Sequence, residues 1–337
     1  MGVIDAIAEG CFAVARKPWV LLPLMLLDSL YWLGGRLSAA PLLPVPIALL
    51  EWSQRQNAAA LDPSGQSNPG ATEVANQIAQ LREVGGQVDL LGVLSVGQNP
   101  LLPQLSNGDI GRPWGVGVID LGSGWLTLLC IFGLLLLGLL WLALTLAIVG
   151  MLVREEPLVP GVLARRIATF WVRLLVLGLV LVGASIFLGV PLAILAGLLT
   201  LLGLNPTVPL LMLFFPLLLG WLFLSRTTDA IAVSDAGPLR AIKLSVLVVR
   251  RNFWAMLRLS AAGWLISLGF PIAWAYLARQ AGGVPLAVVG SAFLNTGLLA
   301  AAMIFYRDCL AAIEHPPKVV PQPPQPPRWQ PPPGNRR

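Results

Sequence analysis

The sequence predicts an all-α fold: a polytopic membrane bundle of about six transmembrane helices, arranged as three hairpins, each entered by a cytoplasmic amphipathic elbow helix. Three observations carry this reading. Of 337 residues, 56% are hydrophobic and 11% charged, whereas a soluble domain carries about 25% charged residues. Apolar stretches of bilayer-spanning length, about 20 residues each, recur along the chain. The 22 Lys and Arg residues gather between alternate stretches, and basic loops stay on the cytoplasmic side of a membrane.

The elements follow in order. Residues 1–17 read as the first elbow, with Ile4, Ile7, Cys11 and Val14 on one helical face. Arg16-Lys17-Pro18-Trp19 then opens the first span, residues 18–35, whose single charge is Asp28. Residues 36–120 form an extracytoplasmic insertion, and a connection of that length is usually functional or without fixed structure. Its apolar run Leu37 to Leu50 is broken by Pro41, Pro44 and Pro46 and is too short to cross. Thr72 to Val84 places Val74, Ile78 and Leu81 at helical spacing, which predicts an amphipathic helix. The insertion is expected to lie on the bundle as a lid.

The second span, 121–153, carries no charge, and its Trp125 and Trp141 suit helix ends or bundle contacts. Residues 154–173 read as the second elbow, with Arg165-Arg166 ahead of Phe170-Trp171. Leu174 to Ser225 is uncharged for 52 residues, too long for one crossing, and Gly203-Leu204-Asn205-Pro206 marks a turn. It therefore divides into spans 174–203 and 206–228. Residues 229–252 form the third elbow: Leu239, Ile242, Val246 and Val249 repeat at helical spacing, beside Arg240, Lys243, Arg250 and Arg251. Spans 253–278 and 284–306 complete the set, separated by Arg279 and the Gly282-Gly283-Val284-Pro285 turn. Residues 315–337 form a proline-rich cytoplasmic tail expected to have no fixed fold, with PxxP spacing between Pro321 and Trp329.

Orientation follows from the basic residues. With an inside N-terminus, 17 of the 22 fall on the cytoplasmic side, and only Arg36, Arg55, Arg82, Arg112 and Arg279 fall outside. Both termini are therefore expected in the cytoplasm, in a multi-pass protein of the cell membrane. The N-terminus has no apolar core ahead of a small-residue cleavage site, so no cleaved signal is expected.

The same residues exclude several chemistries. Cys11, Cys130 and Cys309 form no paired framework, and the single histidine, His315, cannot assemble a triad or a metal site. No cofactor or metal is expected, and the chain does not read as an enzyme. Asp28, ten residues into its span, is the one acid near a bilayer midplane, where an ionisable group is costly enough to mark a candidate site. Asn295 in the last span is its candidate partner. Arg16, Lys17, Arg165, Arg166, Arg250 and Arg251 are candidate lipid-headgroup contacts. The small-residue pairs Ser185/Gly189, Ala193/Gly197 and Gly297/Ala301 mark close helix contacts. Asp229 and Asp235 read as caps for the third elbow.

The segment Asp229 to Trp254 resembles the signature of a broad prokaryotic family of poorly characterised six-helix integral membrane proteins. Its members include the membrane domain fused to some glycerophosphoryl diester phosphodiesterases. Ala241, Ser245, Arg251, Asn252, Phe253 and Trp254 match the pattern of an Ala-x-x-x-Ser segment followed by a basic-Asn-Phe-Trp helix entry, and Arg16-Lys17-Pro18-Trp19 is similar. The resemblance covers the bundle and neither the insertion nor the tail. It implies a fold, a membrane location and a prokaryotic source, and no activity, because the chain lacks the His pair and carboxylate cluster of metal-dependent phosphoryl chemistry. The expected role is a non-enzymatic membrane scaffold or accessory component. Its expected partners are the lipid bilayer, through anionic headgroups, and a membrane protein; nucleic acid is not among them. The alternative is a transporter or lipid flippase-like permease using Asp28 and kinked helices.

Overall fold

A computed structural model describes residues 2–60, 75–81, 83, 88–101, 117–202, 205, 207–280 and 282–314. The proline-rich tail and most of the turn-rich centre of the insertion lie outside these residues. Among the described residues, five helices are long and apolar enough to cross a membrane, or up to six if one sharply bent pair counts as a span.

That pair is α1 (Val3–Arg16) and α2 (Leu22–Leu33), joined through a 3-10 turn at Pro18–Leu21. The chain bends by 103° between α1 and the segment Pro18–Leu33. Pro18 lacks the N–H needed to continue α1, so the helix ends at Arg16 and restarts. The 12 residues of α2 cover about 18 Å at 1.5 Å per residue and the 3-10 lead-in Pro18–Leu21 adds about 8 Å, together a little less than a hydrocarbon layer of about 30 Å. The segment expected as a complete first span is thus a short helix with a 3-10 lead-in.

The insertion starts and ends at one place: β1 (Arg36–Leu37) pairs in parallel with β2 (Val118–Ile119), Arg36 opposite Val118. Between them, α3 (Pro44–Ala60) begins inside the proline-rich apolar run, with Pro44 and Pro46 in its first turn, and residues 75–81 within the predicted amphipathic segment are helical. Residues 88–101 return to the bundle. Asp89 accepts the N–H groups of Leu37 at 3.0 Å and Leu91 at 3.1 Å, Leu94 and Leu101 are buried, and the Tyr31 hydroxyl donates to the Leu91 carbonyl at 2.7 Å. Gly138 makes this seat, because a Cβ there would lie 2.9 Å from the Leu94 carbonyl oxygen. Tyr31→Phe is expected to lower stability by about 1 kcal/mol, the worth of one intramolecular hydrogen bond, read as a lower unfolding midpoint in detergent.

The remaining helices are α4 (Gly124–Val153), α5 (Pro160–Leu201), α6 (Thr207–Leu224), α7 (Thr227–Ser234), α8 (Pro238–Arg251), α9 (Phe253–Ala278) and α10 (Gly283–Glu314). Two differ from expectation. The second elbow is not a separate helix: residues 160–201 form one continuous helix of 42 residues. Between Val162 and Leu177 there is neither Gly nor Pro to break the ladder, whereas Pro18 breaks the first elbow from its span. Helix α6 ends at Leu224, and α7 (Thr227–Ser234) forms a short, largely buried helix after it, so the fourth candidate span, Pro216–Ser234, runs across this break.

Helices α1 and α8 have matching construction. Both α1 and α8 hold 14 residues, follow an extended glycine at the N-cap (Gly2 and Gly237), and stop at a non-helical residue, Lys17 or Asn252. Helix α10 is the axis of the molecule and packs against α1, α2, α4, α7, α8 and α9. Ala143, Leu146 and Val149 of α4, Ala230 and Ile231 of α7, and Ala300, Met303 and Tyr306 of α10 are completely buried in one apolar core. Of the small-residue pairs, Gly297/Ala301 meets a partner: Gly10 of α1, where a Cβ would lie 2.5 Å from both the Ala301 nitrogen and the Gly297 oxygen. Gly189 and Gly197 on α5 face open space, and the outer half of α5 is exposed through Leu179, Ile186, Phe187 and Ile194.

Candidate functional site: a buried ion pair above a layer of charge

The break between α6 and α7 brings two charged residues into the interior. Arg226 is 9% exposed and Asp229, one helical turn later, 2%. Arg226 Nη1 donates to Asp229 Oδ2 at 3.2 Å, and its Nη2 donates to Ser260 Oγ of α9 at 3.0 Å. The neighbouring residues Ala230, Ile231 and Ala232 are buried against the core, and Ala232 abuts Gly150 of α4, whose Cβ would lie 3.1 Å from the Ala232 oxygen. A lone ion here is prohibitive, while a hydrogen-bonded pair offsets much of the desolvation cost.

The sequence reading missed this site. Arg226 stood among the cytoplasmic loop cations and Asp229 as a cap for the third elbow. The structure instead begins that elbow at Pro238 with Gly237 as its N-cap. The available signal was the i, i+3 spacing of opposite charges at the end of a long apolar run, which favours mutual pairing within a helix over capping the next one.

Beyond the ion pair, at the end of the bundle where α4 and α10 finish, the charges form a network. Arg154 donates to Asp235 Oδ2 at 2.6 Å and to the Ala232 carbonyl, and lies 3.7 Å from Glu156. Arg166 also pairs with Glu156, and Arg173 lies 3.8 Å from Asp235. Arg307 of α10 donates to the Val153 carbonyl at 3.0 Å. These cations meet the free carbonyls at the C-termini of α4 and α7, where the helix dipole favours positive charge. Asp235, in the left-handed conformation at φ 49, ends α7 and joins α4 to α5 through its two arginines.

The sequence-predicted residues divide accordingly. Asp28 is 1% exposed on the face of α2 that carries Leu24, Leu27 and Tyr31. Asn295 directs its amide to the Asn99 carbonyl at 2.8 Å and to Ser291 Oγ at 3.2 Å, tying residues 88–101 to α10. Arg166 is engaged by Glu156, whereas Arg16, Arg165, Arg250 and Arg251 are exposed and Lys17 half-buried. On α8 the exposed set is mixed, with Arg240, Lys243, Arg250 and Arg251 beside Leu239 and Val246 and followed by Trp254. Ala241 and Ser245 of the family-like segment are fully buried on the opposite side. Ser245 Oγ donates to the Phe223 carbonyl at 2.6 Å, so the small residues of that segment clamp α8 to the end of α6. Ser245→Leu is expected to displace α8 and to lower the unfolding midpoint more than Ser245→Ala does.

Among the described residues no three His, Cys, Asp or Glu side chains converge as metal ligands. Compared with family models, curated proteins and solved structures, the chain matches none.

Proposed function

We propose that the chain is a non-enzymatic membrane scaffold or accessory component of a prokaryotic cell membrane, with both termini in the cytoplasm, whose basic face on α8 holds anionic lipid headgroups. The observation that supports this reading best is the division of charge. The bundle centre is filled with apolar side chains, and its interior cation Arg226 is paired. The outward cations of α8 stand beside exposed Leu239 and Trp254, the composition of a helix lying in a headgroup layer. The resemblance to six-helix prokaryotic membrane proteins points the same way.

Lipid enrichment tests it. Native mass spectrometry of the protein in nanodiscs of mixed zwitterionic and anionic lipid is expected to show retained anionic lipid. Lys243→Gln, Arg250→Gln and Arg251→Gln together are expected to reduce it, each charge contributing about 1 kcal/mol near an anionic surface. Unchanged retention in the triple variant would sink the lipid reading.

A second reading, a transporter or flippase-like permease, rests on Asp28 buried in a short broken helix and on Pro191, Pro216 and Pro271 inside long ones. Uptake or lipid scrambling in proteoliposomes discriminates. Flux lost in Asp28→Asn supports transport; background flux in both proteins rules it out.

A further inference from the structure

The helices α1 and α8 match in length and ends, but their exposed faces carry opposite charge. From that difference we propose that the groove along α1 binds this chain's own basic segment, residues 318–337, in place of lipid. Asp5 and Glu9 lie one turn apart on the open side of α1, and Phe12, 66% exposed, continues the same stripe. The groove beside them measures about 500 Å³ and is completed by Glu155 and Arg307, with Arg16 at one end. Glu155, the residue after the C-cap Arg154 of α4, is in the left-handed conformation, φ 57, at a position usually given to glycine. The charge of Arg307 is met by Asp308 at 3.2 Å, so the three carboxylates outweigh the single remaining cation, Arg16.

An anionic membrane surface repels such a face. Residues 318–337 suit it: they hold Lys318, Arg328, Arg336 and Arg337, no acid, and a run of prolines, and proline-rich chains dock against exposed aromatic side chains. Opposite charge then sets register and partner choice. The reach is adequate. Helix α10 ends at Glu314, seven residues beyond Arg307, which is about 10 Å of helix. Lys318 follows four residues later in sequence, a separation that four residues of proline-rich chain can bridge over up to about 12 Å. The proposal does not depend on the lipid reading of α8.

Cross-linking in the full chain tests it. Cysteines introduced as Ala8→Cys and Val320→Cys, with Cys11, Cys130 and Cys309 changed to Ser, are treated with a short bismaleimide in zwitterionic nanodiscs. An intrachain product is expected. It is expected to fall about tenfold in Lys318→Glu/Arg328→Glu, which leaves every described helix untouched, and in Glu9→Lys/Glu155→Lys, and to return when the two reversals are combined. No product, a product only between chains, or a yield indifferent to both reversals overturns the proposal.

Discussion

Asp229→Ala is expected to destabilise the protein by about 3–5 kcal/mol, the cost of leaving one partner of a buried ion pair uncompensated. Arg226 would keep its place beside Ser260, within 3.0 Å, with no counter-charge and little access to solvent at 9% exposure. The double variant Arg226→Met/Asp229→Leu removes both charges and fills the space. It is expected to recover most of the loss, because apolar replacement of a buried pair is often neutral or stabilising by about 1–4 kcal/mol. Unfolding midpoints in detergent for the two single variants and the double variant form the measurement. A single variant as stable as the parent would show that the pair contributes nothing to the bundle. A double variant no better than Asp229→Ala would show that the cost lies in packing.

Gly10→Leu is expected to detach α1 from α10. Overpacking a closed contact costs about 1–3 kcal/mol where side chains move aside. Here the obstruction is the Ala301 nitrogen and the Gly297 oxygen, both 2.5 Å from the new Cβ, so relief requires moving a helix. Cys11 reports the event, since a Cβ on Gly297 would lie 2.9 Å from its sulfur, and a loosened α1 exposes the thiol. Maleimide labelling of Cys11 is therefore expected to quicken in Gly10→Leu. In Gly133→Leu, where a Cβ meets nothing within 4 Å, labelling is expected to stay at the parent rate. Equal rates in both would mean that α1 is not held by this contact.

The helical bundle was legible because its signal is long and simple. Uncharged runs such as Leu121 to Val153 have one physical explanation, and the helix Gly124–Val153 sits within that run. The close approach at Gly297 and Ala301 was also visible as a small-residue pair, although its partner, Gly10, lies 287 residues away in sequence. Two equivalent-looking pairs on α5 face nothing, because spacing records capacity for contact and carries no information about which helix arrives. The elbows were read as alike from their basic pairs, but only Lys17-Pro18 and Arg251-Asn252 break the helix; Arg166 runs on into a helix of 42 residues.

The sequence by itself determined the solvent: 11% charge in 337 residues leaves too few ionic groups for a water-covered surface, and backbone satisfaction in lipid then demands helices. It also set where α1 stops, through Pro18. Only the tertiary structure decided which charges are sealed inside and which face out. Arg226 and Asp229 look like loop residues until the break after Leu224 turns α7 into the core, where desolvation forces them together. Asp5 and Glu9 look incidental until α10 and the end of α4 close a groove beside them. A side chain's composition is local, but its burial and its field depend on what packs against it from distant parts of the chain, and that information is nowhere in the local pattern.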